Sequence, residues 1–154
     1  MKPSELLENL IKQYFKDCKR KDNQTYRVDL FCNDYKVVIE KSNLGFTSFI
    51  FDKNNQQRYR SSLNEIIAYS MSKQFGLKNV YEEEFKNLKK HLEYVKYEDK
   101  IKGMFEKNQI KKINQELNIA KSVDFKKHII KRYAREFGYI FDTKIKSLVK
   151  ENNE

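Results

Sequence analysis

The chain opens with apolar and polar positions that alternate at helical spacing. Apolar residues return every three or four positions from Leu6 to Cys18, and charged residues fill the opposite side. This spacing is typical of an amphipathic helix that packs one face against a core. We therefore predict a first helix over this stretch, with Ser4 as its N-cap.

From Thr25 the period of the pattern changes to two. Apolar side chains alternate with polar ones as far as Cys32, Asn33 and Asp34 form a turn signal, and the alternation resumes from Tyr35 to Ile39. Alternation on both sides of a short polar turn predicts a β-hairpin.

A third strand is predicted over Phe46–Phe51. Both of its faces are apolar, so we expect both to be covered. The polar segment Asp52–Arg60 predicts a loop or a short edge strand.

Helical patterns occupy the rest of the chain. Ser62 and Glu65 have capping-box spacing, and Gly76 is a candidate end for the helix that they begin. Asn79 is a second candidate cap, before a long amphipathic helix that we expect to break at Gly103. Three further helices are predicted over Met104–Ala120, over Ser122–Gly138 and from Asp142 onward.

This order predicts an α+β fold: an N-terminal helix, a three-stranded antiparallel meander, and then a bundle of four to five helices. The length of 154 residues suits a single domain over 1–154. The alternative is a subdivision into an α-β-β-β-α unit over 1–77 and a helical unit over 78–154.

Composition excludes several classes of protein. The content of 11 Phe and 10 Tyr argues against a disordered chain, and four Gly and two Cys exclude collagen-like and disulfide-scaffold proteins. The net charge is +10, yet only six of the 32 basic residues are arginine. Lysine has AT-rich codons, so the charge has two interpretations: a polyanionic partner, or the base composition of the genome.

Nothing in the sequence directs the chain to a membrane. The first twenty residues contain too many charges for a secretory signal, and apolar runs are far shorter than a membrane span. We therefore expect a cytoplasmic protein with no membrane partner. Cys18 and Cys32 are then most simply two reduced, buried side chains.

The sequence contains no motif for an enzymatic activity, a metal site or a cofactor, so we expect none of the three. Two His and two Cys lack the paired spacings of zinc sites, and no glycine-rich phosphate loop occurs. A metal-dependent nuclease is a weak alternative: Asp34 and Lys36 have the required spacing of two, with Asp29 upstream, but Asp34 falls in the turn. No catalytic residue is assigned.

Basic residues form a row on the helix predicted from Ser122. Lys127, Lys131 and Arg135 follow one another at spacings of four, flanked by Lys126 and Arg132. Such a row can follow a phosphate backbone or meet an acidic protein surface. A solvated lysine-rich face is the alternative.

The N-terminal order of helix, three strands and helix is similar to the double-stranded-RNA-binding domain, although the lysine cluster of that family is missing before Ser62. As a whole, a short chain that is rich in residues with AT-rich codons and has no evident active site resembles accessory proteins of phages and plasmids. Among these it resembles the small type II anti-CRISPR proteins, which inhibit Cas9.

The anti-CRISPR resemblance implies a non-enzymatic protein that binds Cas9 with its guide RNA. A net charge of +10 excludes mimicry of DNA, so binding would cover a protein surface or contact the guide RNA or bound DNA. The contact residues would be Lys126, Lys127, Lys131, Arg132 and Arg135, with Tyr94 and Tyr97 as exposed aromatic side chains. The alternatives are a basic nucleic-acid-binding protein with little sequence specificity and a self-associating structural module.

Overall fold

The computed structural model describes residues 3–24, 27–43, 45–142 and 147–150. The chain divides into two units, Met1–Leu92 (unit 1) and Glu93–Glu154 (unit 2). The elements are α1 (Pro3–Tyr14), β1 (Lys19–Gln24), β2 (Arg27–Cys32), β3 (Tyr35–Ser42), β4 (Gly45–Phe51), β5 (Gln57–Asn64), α2 (Glu65–Lys102), α3 (Lys107–Leu117), α4 (Val123–Glu136), β6 (Tyr139–Asp142) and β7 (Ser147–Lys150).

Strands β1 to β5 form one antiparallel sheet in the order in which they follow in the chain. The central strands β2, β3 and β4 confirm the predicted hairpin and third strand. Asn33 adopts a φ of 59° in the hairpin turn, a conformation that Asn tolerates better than most residues.

The prediction of a three-stranded meander is wrong, because β1 and β5 add a polar strand at each edge. β1 has the sequence KRKDNQ and β5 has QRYRSSLN, so neither shows the apolar alternation that reveals a half-buried strand. Main-chain hydrogen bonds to β2 and β4 hold these strands in place.

The prediction of four to five later helices is also wrong: three helices follow the sheet in the described residues. α2 runs unbroken for 38 residues through Gly76 and Asn79. Asn64 caps it, because its Oδ1 accepts hydrogen bonds from the backbone N–H groups of Ile66 at 2.9 Å and Ile67 at 3.4 Å. The break at Gly103 is confirmed.

The predicted C-terminal helix is replaced in part by a strand pair. Gly138, at a φ of 85°, follows α4 and leads into β6, which pairs with β7. Residues 143–146 of the predicted helix lie outside the described residues, but Ser147–Lys150 is a strand.

The core of unit 1 lies between one face of the sheet and the helices α1 and α2. Phe85 sits at its centre, with ring centroids of Tyr14, Phe15 and Phe46 at 6.1, 6.3 and 5.7 Å. The buried side chains include Leu6, Leu7, Leu10, Ile11, Leu30, Val37, Ile39, Ile50, Tyr81, Leu88 and Leu92. All the sheet residues in this cluster point to one face, which we call the first face.

The core of unit 2 is formed by the end of α2, by α3 and by α4. Its buried side chains are Tyr94, Val95, Ile101, Phe105, Ile113, Leu117, Val123, Ile129, Ile130, Tyr133 and Ala134. Ser122 caps α4 as predicted, since its Oγ accepts the backbone N–H of Phe125 at 3.1 Å. Tyr139 donates its hydroxyl to the carbonyl of Met104 at 2.8 Å, which ties the start of β6 to the loop before α3.

Cys18 and Cys32 are joined in a disulfide, so the expectation of two reduced cysteines is wrong for this structure. The bond links the connection after α1 to the end of β2, and the two Cα atoms are 4.6 Å apart. Lys19 pairs with Phe31 in the register of β1 and β2, which places the two cysteines beside each other.

In the part of the chain that the structure describes, no helix combines the length and apolarity needed to cross a membrane. The longest helix, α2, carries charged residues along most of its 38 residues. Residence in the cytoplasm stays a prediction.

Candidate nucleic-acid interface

The orientation of α4 decides which of its basic side chains face solvent. Ile129, Ile130, Tyr133 and Ala134 are buried on its inner side. Phe125 is apolar, but its side chain is 54% exposed. Since residues on a helix are about 100° apart around the axis, Phe125 lies nearer the outer side than the core.

Lys131 and Arg135 are the two most accessible members of the basic row. Both are exposed and lie one helical turn apart. Within the described residues neither takes part in an ion pair. Lys127 is half-buried, with its Nζ 6.0 Å from the centroid of the Tyr97 ring. These three cations form what we call the α4 row.

Arg132 is held by the protein's own groups. Its guanidinium forms an ion pair with Glu116 of α3 and lies 5.0 Å from the centroid of the Tyr133 ring. Tyr133 donates its hydroxyl to the same carboxylate at 2.9 Å. Arg132 therefore joins α4 to α3, and its charge is partly compensated.

Lys126 is separated from the α4 row, about 140° around the helix from Lys131. Its Nζ lies 5.7 Å from the centroid of the Tyr94 ring. Tyr94 is only 4% exposed, so the expectation of an exposed aromatic side chain is wrong there. Tyr97 is half-buried, and this burial raises the pKa of its hydroxyl above the ordinary value of 10.0.

Two acids lie near the row. Asp124 is in the first turn of α4, where the helix dipole favours a carboxylate. Glu136 accepts a hydrogen bond from Lys112 of α3 at 3.3 Å. His128 stacks against Phe125 with ring centroids 6.4 Å apart. The outer side of α4 thus carries the α4 row and one exposed aromatic ring, with the exposed Asp124 on the same side.

The residues of the nuclease alternative do not form a metal centre. The described residues contain no group of three or more side chains able to hold a metal ion. Asp29 is buried and accepts hydrogen bonds from Asn23 at 2.7 Å and Arg27 at 3.0 Å. Asp34 is exposed in the hairpin turn. Asp29 therefore has a structural role in the sheet.

Sequence reasoning missed a second group of aromatic and basic side chains, on the face of the sheet opposite the first face. On this second face Asp29 and Val38 are buried and Phe49 and Phe51 are half-buried, so the expected cover is met in part, whereas Phe31 is 40% exposed. The signal was present in the two-sided apolar pattern of β4. The aromatic and basic residues of this second face are Lys19, Lys21, Arg27, Phe31, Lys36, Phe49, Phe51 and Arg60.

Comparison of the chain with protein-family models, with curated proteins and with solved structures finds no match. Function is therefore inferred from the residues of the chain itself.

Proposed function

We propose that the protein is a non-enzymatic nucleic-acid-binding protein with little sequence preference, and that the α4 row contacts phosphate groups. The observation that carries this proposal is the pair Lys131 and Arg135, exposed at one-turn spacing, with no ion pair within the described residues. Lys127 extends the pair by a further turn.

The flexible cationic side chains of the α4 row are better suited to contacts with the phosphate backbone than to recognition of base edges. Lysine donates to phosphate as a flexible cation, and phosphate contacts carry no sequence information. Each neutralised phosphate releases a condensed counterion, so affinity falls steeply with salt. Three such contacts would weaken binding to duplex DNA about 40-fold between about 50 and about 200 mM salt.

The test is fluorescence anisotropy with a labelled duplex of random sequence, titrated with the full chain at both salt concentrations. K131Q/R135Q should bind more weakly and lower the slope of log affinity against log salt by about 2. K107Q/K111Q, which removes two exposed cations from α3, is the matched control and should leave the slope closer to that of the unaltered protein.

Two results would contradict the proposal. One is no binding of duplex or single strand by the unaltered protein at low salt. The other concerns the row alone: if K131Q/R135Q and K107Q/K111Q change the slope equally, the charge acts diffusely and the α4 row is not the contact surface.

A second candidate function is inhibition of a nucleic-acid-processing complex such as Cas9 with its guide RNA, by binding to a protein surface. The observation that favours it is Phe125, which is 54% exposed and stacks on His128 on the cationic side of α4. Exposed aromatic and arginine side chains are typical anchors of protein interfaces. F125A should then abolish inhibition of Cas9 cleavage, while K107Q/K111Q should retain it. If the protein without substitutions does not slow DNA cleavage by Cas9, this function is excluded.

A further inference from the structure

The second face of the sheet places aromatic and cationic side chains in alternation across the strands. Direct partners in the register share a face. One row runs across the sheet as Lys19, Phe31, Lys36 and Phe51. Each aromatic side chain in this row has a lysine on a neighbouring strand.

The next row repeats the arrangement at the two edges of the sheet. Lys21 on β1 and Arg60 on β5 are its outermost members, and Phe49 is the direct partner of Arg60. Because β1 and β5 are the edge strands, cations lie on both sides of the aromatic rings. The middle of this row is formed by Asp29 and Val38, which are both buried. The second face thus has basic margins on β1 and β5, with aromatic rings on β2 and β4 between them.

Of the three rings, that of Phe31 is the most accessible, and those of Phe49 and Phe51 are half-buried. Phe49 and Phe51 lie with ring centroids 6.0 Å apart and planes 22° apart, and Phe31 is 40% exposed. The main core of unit 1 takes its sheet residues from the first face, and on the second face Asp29 and Val38 are buried outside that cluster. The exposed ring of Phe31 does not strengthen the core. Together with the neighbouring Lys19, Lys36 and Phe51 it forms a patch that indicates a binding role.

The acids of the second face pair with one of its cations, Arg27, and leave four others unpaired within the described residues. Asp29 and Glu40 both interact with Arg27, at 3.0 and 3.5 Å. Lys36 and Arg60 instead lie over Phe51 and Phe49, at 5.1 and 5.9 Å from the ring centroids. Lys19, Lys21, Lys36 and Arg60 form no ion pair within the described residues.

We infer that the second face binds single-stranded nucleic acid. The bases of a single strand can stack on aromatic rings while its phosphates meet the basic margins, as in other sheet surfaces that bind single strands. In a duplex the flat faces of the bases are stacked on one another, so the aromatic rings of the second face cannot stack on them. The inference rests on the proposed function, since both require a nucleic acid, but it assigns a different surface and a preferred form.

The experiment compares a labelled thymine oligonucleotide of about 15 nucleotides with a duplex of random sequence, using the full chain. Phe31→Leu removes the ring but keeps an apolar side chain at an exposed site, so it should fold. It should weaken single-strand binding about tenfold and leave duplex binding unchanged. Ile119→Ala, which removes a 77% exposed apolar side chain outside both proposed surfaces, is the control and should not alter single-strand binding.

Charge variants give a second measurement. R60Q should weaken single-strand binding, whereas K53Q, which removes an exposed cation from the β4–β5 loop, should have less effect. Poly-glutamate serves as a competitor. If it displaces the oligonucleotide as well as unlabelled single strand does, the face recognises any polyanion and the inference is overturned.

The two proposals fail separately. Duplex binding that depends on Lys131 and Arg135, together with single-strand binding that Phe31→Leu leaves within twofold, would overturn the inference and keep the proposed function. Single-strand binding lost in Phe31→Leu, together with duplex binding that K131Q/R135Q leaves unchanged, would support the inference and remove the α4 row from the proposed function. Absence of all binding would overturn both.

Discussion

Arg20 of β1 and Glu8 of α1 form a two-pronged ion pair, with Nη1 and Nη2 of the guanidinium each 2.7 Å from a different carboxylate oxygen. The hydrogen bond from Arg20 lowers the pKa of the Glu8 carboxyl below its ordinary value of 4.5, against the opposing effect of burial. Arg20 also donates to Asp22 at 2.7 Å. The polar edge strand is thereby joined to the first helix.

Glu8→Gln should lower the free energy of unfolding only modestly, by about 0.5–1 kcal/mol, because the Glu8 side chain is 43% exposed and solvent screens the pair. The measurement is urea denaturation at low salt, repeated at high salt, where the difference should shrink. Glu83→Gln, an exposed acid on α2, is the control and should change stability less. A loss larger than about 2 kcal/mol would show that the pair does more than a surface ion pair.

Asp52 gives a pH-dependent prediction. Burial alone would raise the pKa of this carboxyl, but hydrogen bonds from the backbone N–H of Gln56, from the Arg58 side chain and from the backbone N–H of Asn54 outweigh it and lower the pKa below 3.8. A lowered pKa in the folded state stabilises the fold above the unfolded-state value, and this contribution disappears as the pH falls through the folded-state value.

Asp52→Asn should therefore destabilise the protein near neutral pH, by about 1–2 kcal/mol, since hydrogen bonds to a charged group are lost. The difference from the unaltered protein should narrow as the pH is lowered from about 7 to about 3 in urea titrations. Asp34→Asn, in the exposed hairpin turn, is the control. A difference that stays constant with pH would contradict the assignment of the effect to this carboxylate.

Ser48 is fully buried in the first face, and its Oγ has no hydrogen-bond partner within the described residues. Ser48→Ala removes an unsatisfied hydroxyl and leaves little empty space, so stability should stay equal or rise by up to about 1 kcal/mol. Thermal unfolding measures this. Ser62→Ala, which loses an exposed contact with Thr47, should have no such benefit. A drop of more than about 1 kcal/mol in Ser48→Ala would mean that the hydroxyl is satisfied, for instance by a buried water.

The disulfide between Cys18 and Cys32 closes a loop with a sequence separation of 14. Closing a loop of this length restricts the unfolded chain and stabilises the fold by about 3 kcal/mol. The double variant Cys18→Ala, Cys32→Ala should lose about this amount and become insensitive to reductant, whereas the unaltered protein should lose stability when reduced. If a thiol reagent detects two free thiols in protein that was unfolded without reductant, the disulfide is absent.

The strands that the sequence predicted are those whose side chains face a core. β2, β3 and β4 alternate because Leu30, Val37 and Ile50 pack against α1 and α2. β1 offers no such signal, since Lys19, Arg20 and Lys21 are all charged and its pairing depends on the backbone. Backbone pairing is independent of side-chain hydropathy, and a polar edge strand is therefore hidden from pattern reasoning.

Helix boundaries failed where local signals were overridden. Gly76 and Asn79 resemble an end and a cap, yet the helix passes through both, because a glycine inside a helix costs only about 1 kcal/mol. The candidate site was predicted in part: helical spacing alone places Lys131 and Arg135 on one side of α4. The burial of Tyr94 and the pairing of Arg132 with Glu116 depend on which helices pack together, and spacing does not reveal that.

The polar character of β1 and β5 also affects how copies of the chain meet one another. An edge strand presents unpaired backbone groups that can accept a strand from another molecule. Here the two edges carry Lys19, Arg20 and Lys21 on one side and Arg58 and Arg60 on the other. Like charges would be brought together if two such edges paired, and the register of β1 is already irregular between Asp22 and Gln24. The sheet is therefore protected against growth into aggregates at the strands that contribute least to its core.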